Sequence, residues 1–167
     1  MTKTAHDSET PAVGQQVITA CAAIHRVTDG KPEIFVAKRA ASKKFLPDVF
    51  ELPGGHIEYA EDLVTGLQRE IMEEFNVRIK IGAPFAAFTY VNDVKQSHSA
   101  EVIYFATLLD NESNISLYPE DHSEYRWVNL QSIQNIYPPL KEEDNIEYVY
   151  LRRGLELLNG GQIDFGN

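Results

Sequence analysis

Glu70, Glu73 and Glu74 stand within one helical turn of one another in the segment REIMEEFN, residues 69–76. A helix advances about 100° per residue, so with Glu70 at zero Glu73 falls at about 300° and Glu74 at about 40°. Leu63, Val64, Leu67, Ile71 and Phe75 fall between about 20° and 140°, so the glutamates line a flank of the stripe to be buried. Like charges at this spacing cost a few tenths of a kcal/mol each even when exposed, and partial burial raises the cost. One arrangement is a solvated acidic face in which Arg69, beside Glu73, offsets some repulsion. The other is chemical: clustered carboxylate oxygens with space beside them suit a hard divalent cation, Mg²⁺ or Mn²⁺, which removes the repulsion and keeps positions open for water and phosphate oxygens. Gly66, one turn upstream, is expected to leave that space at a helix cost of about 1 kcal/mol relative to Ala.

The elements that must position these acids can be read from pattern. VITACAAIHRV (17–27) and PEIFVAKRA (32–40) are β-branched or apolar runs joined by the turn signal TDGK, which predicts a strand pair. AASKKFLPDVFELPGG (40–55), broken by Pro47 and Pro53, reads as a loop, and Asp62 as the N-cap of a helix over 63–75. VRIKI (77–81), PFAAFTYV (84–91) and AEVIYFATLL (100–109) read as strands. YRWVNL (125–130) reads as a short strand entering a small helix, and residues 146–161 as a last helix stopped by Gly160 and Gly161. Strands and helices interleave without regular βαβ spacing, so the expected architecture is α/β of the α+β kind, a mixed β-sheet flanked by helices.

The 167 residues, 43% of them apolar, suffice for one core and not two. One domain is expected over 16–167, with residues 1–15 a disordered tail. No apolar run approaches a membrane span and the first residues hold no apolar signal core, so a cytoplasmic protein without membrane contact is expected. Fifteen basic residues against 25 acidic give a formal charge of −10, which argues against nucleic acid as a partner; a small phosphorylated substrate is allowed if a basic patch or a metal screens the field. The single cysteine, Cys21, excludes an intramolecular disulfide and reads as a packed core thiol.

From Gly55, the stretch GHIEYAEDLVTGLQREIMEEFNV resembles the Nudix box: Gly, five residues, Glu, seven residues, then Arg-Glu-apolar-x-Glu-Glu-x-Gly-apolar. Gly55, Glu61, Arg69, Glu70, Ile71, Glu73, Glu74 and Val77 all fall in place. At typical residue usage six fixed positions coincide about once in 10⁷ starts, so chance does not explain the match. Asn76 stands where the family has Gly, and Asn is the usual other occupant of a left-handed helix end. ELPGG before the box and EYRWV late in the chain are also similar to family patterns.

The resemblance implies a MutT-like Nudix hydrolase with an α/β/α sandwich fold, cutting a phosphoanhydride bond of a nucleoside diphosphate derivative with Mg²⁺ or Mn²⁺. It implies that Glu70, Glu73, Glu74 and the Gly54 carbonyl hold the metal, that Arg69 orients the carboxylates, and that Glu61 supports the junction of loop and helix. The expected water-activating base is Glu70 in the first instance; Glu120 and Glu124 in YPEDHSEYRW are the loop candidates, with solvated loop acids as the plain alternative. Arg39, in the densest basic cluster with Lys38, Lys43 and Lys44, could reach a phosphate oxygen, and His122 could contact substrate; a solvated side chain is the commoner case for both. Phe85, Phe88 and Tyr90 alternate along one strand, so some must face the core.

Pro84 and Tyr90 come too early for the family's ADP-ribose and dinucleoside polyphosphate markers. By elimination a nucleoside triphosphate, an oxidised one included, is expected, giving monophosphate and pyrophosphate. Two rival readings remain: a nucleotide-binding regulator that has lost catalysis, and a prenyl diphosphate isomerase, which needs a catalytic cysteine. A homodimer is common in the family.

Overall fold

The structure, a computed structural model, describes residues 11–137 and 145–162. β1 (Gln16–Thr28) and β2 (Lys31–Arg39) form a hairpin whose turn needs Asp29 at φ 50° and Gly30 at φ 73°. β3 (Phe50–Glu51) and β4 (Gly54–His56) precede α1 (Leu63–Phe75), then come β5 (Ile79–Asn92), β6 (Ser97–Leu108), β7 (His122–Val128) and α2 (Ile146–Leu158). The strands make one sheet in the order β3-β2-β1-β6-β5, with β4 on β1 and β7 on β2. β1 and β6 run parallel and the remaining pairs antiparallel. This is the mixed sheet expected.

Strand parity divides the core in two. Ala20, Ala22 and Ile24 of β1 pack with Tyr104 and Ala106 of β6 against Leu67, Ile71 and Phe75 of α1. Ala23 and Ile103 point the other way, to Leu151 and Leu155 of α2. The helices thus cover opposite faces, and each fully buried Leu, Ile or Phe contributes roughly 1.5–3 kcal/mol.

The edge of β1 opposite β6 is shared. Thr19 to Cys21 pair with β4, whereas His25 to Thr28 pair with β2, which turns from β1 after Ile34 to pair with β3. The sheet forks there, and a cavity opens at the fork.

Two expectations differ from the structure. Residues 40–55, read as a loop, contain β3 and the start of β4, too short to show an alternation. Residues 77–91, read as two strands, form one strand from Ile79, because register shifts either side of Pro84 absorb its missing N–H. The expected tail falls partly outside the described residues, at 1–10; of the rest, Ala12 donates its N–H to the Lys95 carbonyl at 2.9 Å and Gly14 to that of Gln96 at 3.0 Å. Among the described residues no helix is long and apolar enough to cross a membrane.

Candidate active site

The sequence sets both ends of α1. The Asp62 carboxylate accepts the N–H groups of Val64 and Thr65 at 3.0 and 3.1 Å, and Asn76 takes the left-handed conformation at φ 56°, its N–H donating to the Met72 carbonyl at 3.1 Å. Between these ends the acidic flank faces the fork.

Glu70 and Glu74 turn inward. Glu70 is 5% exposed; its Oε1 accepts from Arg69 Nη1 at 2.8 Å, and its Oε2 lies against Gly55, where a Cβ would stand 2.7 Å away. Glu74 Oε2 is buried with no hydrogen-bond partner. Burial, then the charges of Glu70, Asp121 and Glu51, push the Glu74 carboxyl well above the usual range, with Lys43 opposing. Glu73 is half exposed, 3.5 Å from Arg69, and does not line the cavity.

Arg69 ties the cluster to the loop before it. Its Nε and Nη2 reach the two Glu61 oxygens at 2.9 Å each, and Nη2 also donates to the His56 carbonyl at 3.1 Å. Glu61 in turn accepts the Glu58 N–H at 2.9 Å, across the junction of loop and helix. Gly66 does not open space beside Glu70, as its spacing suggests. A Cβ there would fall 2.7 Å from Glu61 Oε2 and from Ile57 Cδ1, so these side chains fill the gap.

Across the cavity a second network comes from β2, β3 and β7. Arg39 Nη1 reaches both Glu51 oxygens at 3.0 and 3.2 Å, and its Nε donates to the Phe45 carbonyl at 3.0 Å. Burial raises the Glu51 carboxyl, but Arg39 and His122 outweigh it and hold it below the usual range. Glu51 therefore stays ionised and accepts from His122 Nε2 at 3.0 Å. That leaves His122 Nδ1, buried and without a partner, 3.8 Å from Glu74 Oε2.

The cavity measures about 300 Å³ and is walled by residues from both sides of the fork. The expected Gly54, Glu70, Glu74, Arg39 and His122 all line it; Glu120 and Glu124 do not. Glu120 takes a hydrogen bond from Tyr118 at 3.3 Å, and Glu124 pairs with Arg126 at 3.2 Å. The register of β2 on β7 shifts between Lys38 and Arg39, which pair with Glu124 and His122. This bulge breaks the alternation and turns Glu124 away from the side His122 takes.

Acids that the sequence reading passed over take those places. Asp121 lies 2.6 Å from Lys43, and Glu51, Glu101 and Glu147 all line the cavity. Glu101 left a signal, a lone acid in the apolar strand AEVIYFATLL. Cys21 is half-buried on the cavity wall rather than sealed in the core, and burial and the Glu101 charge push its thiol well up, which leaves it a poor nucleophile. Phe85 stacks on Phe105 at 4.3 Å, whereas Phe88 and Tyr90 reach the cavity.

The NUDIX domain pattern matches this chain over residues 18–152. The chain belongs to the NUDIX domain family. It is a Nudix pyrophosphohydrolase. An 8-oxo-dGTP diphosphatase of Buchnera aphidicola is 27% identical over 104 residues, 62% of this chain and 73% of that protein. A MutT protein of Methanosarcina mazei superposes with a TM-score of 0.67 at 19% identity, covering 92% of this chain and 99% of its own. An Ap4A hydrolase of C. elegans superposes with a TM-score of 0.66 at 23% identity, covering 87% and 99%. At such identities the superpositions establish the Nudix fold.

Proposed function

We propose that this Nudix hydrolase cuts a phosphoanhydride bond of a nucleoside triphosphate, an oxidised one included, releasing the monophosphate and pyrophosphate with Mg²⁺ or Mn²⁺ bound at the α1 carboxylates. The observation that carries the reading is the buried, unpartnered Glu74 Oε2 beside a second buried acid, Glu70. Two facing acids at the fork are costly alone and suit a dication.

The residues fit such an ion. Among the described residues no three His, Cys, Asp or Glu side chains are already gathered around one point. Hard cations, however, complete their shells with backbone carbonyls and water beside carboxylates. Glu70, Glu74 and the Gly54 carbonyl would hold it, and Glu73 would join by leaving Arg69. When bound, the ion supplies Lewis acidity, neutralising phosphate charge and making water a stronger nucleophile at neutral pH.

The chain's own groups do the rest. Arg69, tied to Glu61, fixes Glu70 Oε1 so that Oε2 faces the cavity past Gly55. Glu70 is the proposed base; Glu120 and Glu124 lie off the cavity wall. Arg39 and His122 face the substrate from the other wall, both anchored by Glu51. The relatives named for 8-oxo-dGTP and Ap4A support a nucleotide, and the formal charge of −10 favours a small one over a polynucleotide. Incubating the protein with nucleoside triphosphates and Mg²⁺ or Mn²⁺ tests the reading. Pyrophosphate release is expected, and orthophosphate alone, or no product, contradicts it.

A further inference from the structure

The cavity is rich in acids and short of fixed positive charge. Among the described residues that line it, Glu51, Glu70, Glu74, Glu101, Asp121 and Glu147 face two side chains of permanent positive charge, Arg39 and Lys43. The two cations are held differently. Arg39 is anchored through Nη1 to the Glu51 carboxylate and through Nε to the Phe45 carbonyl. Lys43, in the loop between β2 and β3, reaches Asp121 Oδ1 at 2.6 Å. An ammonium carries three N–H donors on a flexible four-carbon stem, so it can turn to another acceptor.

The backbone beneath this pair is fixed. The Ala40 N–H donates to the Asp121 carbonyl at 2.8 Å, and the Lys43 N–H to the Ala40 carbonyl at 3.1 Å. The Asp121 N–H donates to the Tyr118 carbonyl at 3.0 Å, and the Tyr118 N–H to the Glu74 carbonyl at 3.0 Å. The pair is thereby tied to the last turn of α1. Its charges also reach Glu74: burial raises that carboxyl most, Asp121 adds to the rise and Lys43 opposes it.

A pair of this kind either staples a loop or keeps a cation in reserve. The staple already exists in the bond between the Ala40 and Asp121 backbones. Both side chains line the cavity, 14% and 18% exposed, so a change of partner needs side-chain rotation alone. A phosphate oxygen is an anionic acceptor like the carboxylate oxygen that Lys43 now holds.

We propose that Lys43 holds the pyrophosphoryl part of the substrate, and that Asp121 competes with it for the Lys43 ammonium. The carboxylate keeps the cation while no anion is bound, gives it up as the polyphosphate enters, and takes it back as pyrophosphate leaves. The cation is then available to a ligand only for the fraction of time that Asp121 releases it, which weakens binding by that fraction.

This inference rests on the proposed release of pyrophosphate, and its test cleaves no bond. Inorganic pyrophosphate is titrated into the protein in excess Mg²⁺ and followed by calorimetry. Lys43→Met is expected to weaken binding roughly tenfold or more, because a charged hydrogen bond is lost. Asp121→Asn is expected to tighten it roughly threefold or more, because the ammonium is no longer occupied. Asp121→Ser answers the same question should Asp121→Asn fail to fold. Added to Lys43→Met, Asp121→Asn should change affinity less than about twofold, since no ammonium remains to compete for. A staple predicts the opposite sign, with Asp121→Asn weakening binding. Wild-type affinity in Lys43→Met, weaker or unchanged binding in Asp121→Asn, an equal gain with and without Lys43, or no binding of pyrophosphate to the wild type overturns the assignment. Failure of pyrophosphate release with every triphosphate refutes the hydrolytic reading instead, whatever this titration gives.

Discussion

Glu74 Oε2 and His122 Nδ1 stand 3.8 Å apart, both buried and both without a hydrogen-bond partner. Glu51 takes the proton-bearing Nε2 of the same ring, which leaves Nδ1 facing the Glu74 carboxyl. A buried polar atom left without a partner costs about 1–3 kcal/mol of lost solvation. Such a site is poised for a cation or a proton. Glu74→Gln supplies an N–H in place of the charge. The metal-free variant is expected to gain on the order of 1 kcal/mol, seen as a melting temperature a few degrees higher. A lower melting temperature in calorimetry contradicts this.

Glu70 and Glu73 differ in burial although they sit three residues apart. Glu70→Gln is expected to lower kcat/KM for pyrophosphate release roughly 100-fold or more, because the buried group proposed as ligand and base is lost. Glu73→Gln should cost much less, since that side chain is half exposed on Arg69. Equal losses measured at saturating metal place Glu73 beside Glu70 in importance.

Gly55→Ala probes the Glu70 carboxylate from outside. The new methyl would arrive 2.7 Å from Oε2 of a side chain that Arg69 holds in place. Activity is expected to fall by roughly tenfold or more, with a stability cost of about 1–3 kcal/mol for the overpacking. Unchanged kinetics in a folded variant show that Glu70 tolerates displacement.

The Glu101 carboxyl links stability to pH. Its folded value, about 7, lies above the usual carboxyl value of 4.5, so between these pH values the folded chain binds more protons than the unfolded one. Stability due to this group is present below pH 4.5 and is lost as pH rises towards 7, at up to about 1.4 kcal/mol per pH unit. Glu147, Glu51, Cys21 and Tyr90 share its surroundings, so the comparison is with Glu101→Gln. Urea unfolding at pH 5 and pH 7.5 should show the wild type losing more stability than the variant. Parallel losses contradict the assignment.

α1 was legible because the information is local. Asp62, the stripe from Leu63 to Phe75 and Asn76 are written within fifteen consecutive residues, and helical angles alone put the glutamates on a flank of the buried stripe. β-branched and apolar runs, with the turn signal TDGK, likewise exposed the hairpin and β6. The fork was not legible, because β3 and β4 span two and three residues and exist only through their partners. Glu51, Glu101 and Glu147 come together through that fork, from segments almost a hundred residues apart in sequence, and no local spacing announces it. Glu124 stands two residues from His122, and the bulge beside Arg39 undoes the alternation that would carry both to the cavity.

A titration of Mn²⁺ into the wild type and into Glu74→Gln, followed by the relaxation of water protons, tests the central claim most directly. A wild type that binds Mn²⁺ near the α1 carboxylates, and a folded variant whose affinity falls roughly tenfold or more, is the result the structure predicts. Equal Mn²⁺ affinity in the two proteins, with pyrophosphate release intact in the variant, would show that the buried Glu74 oxygen serves no cation.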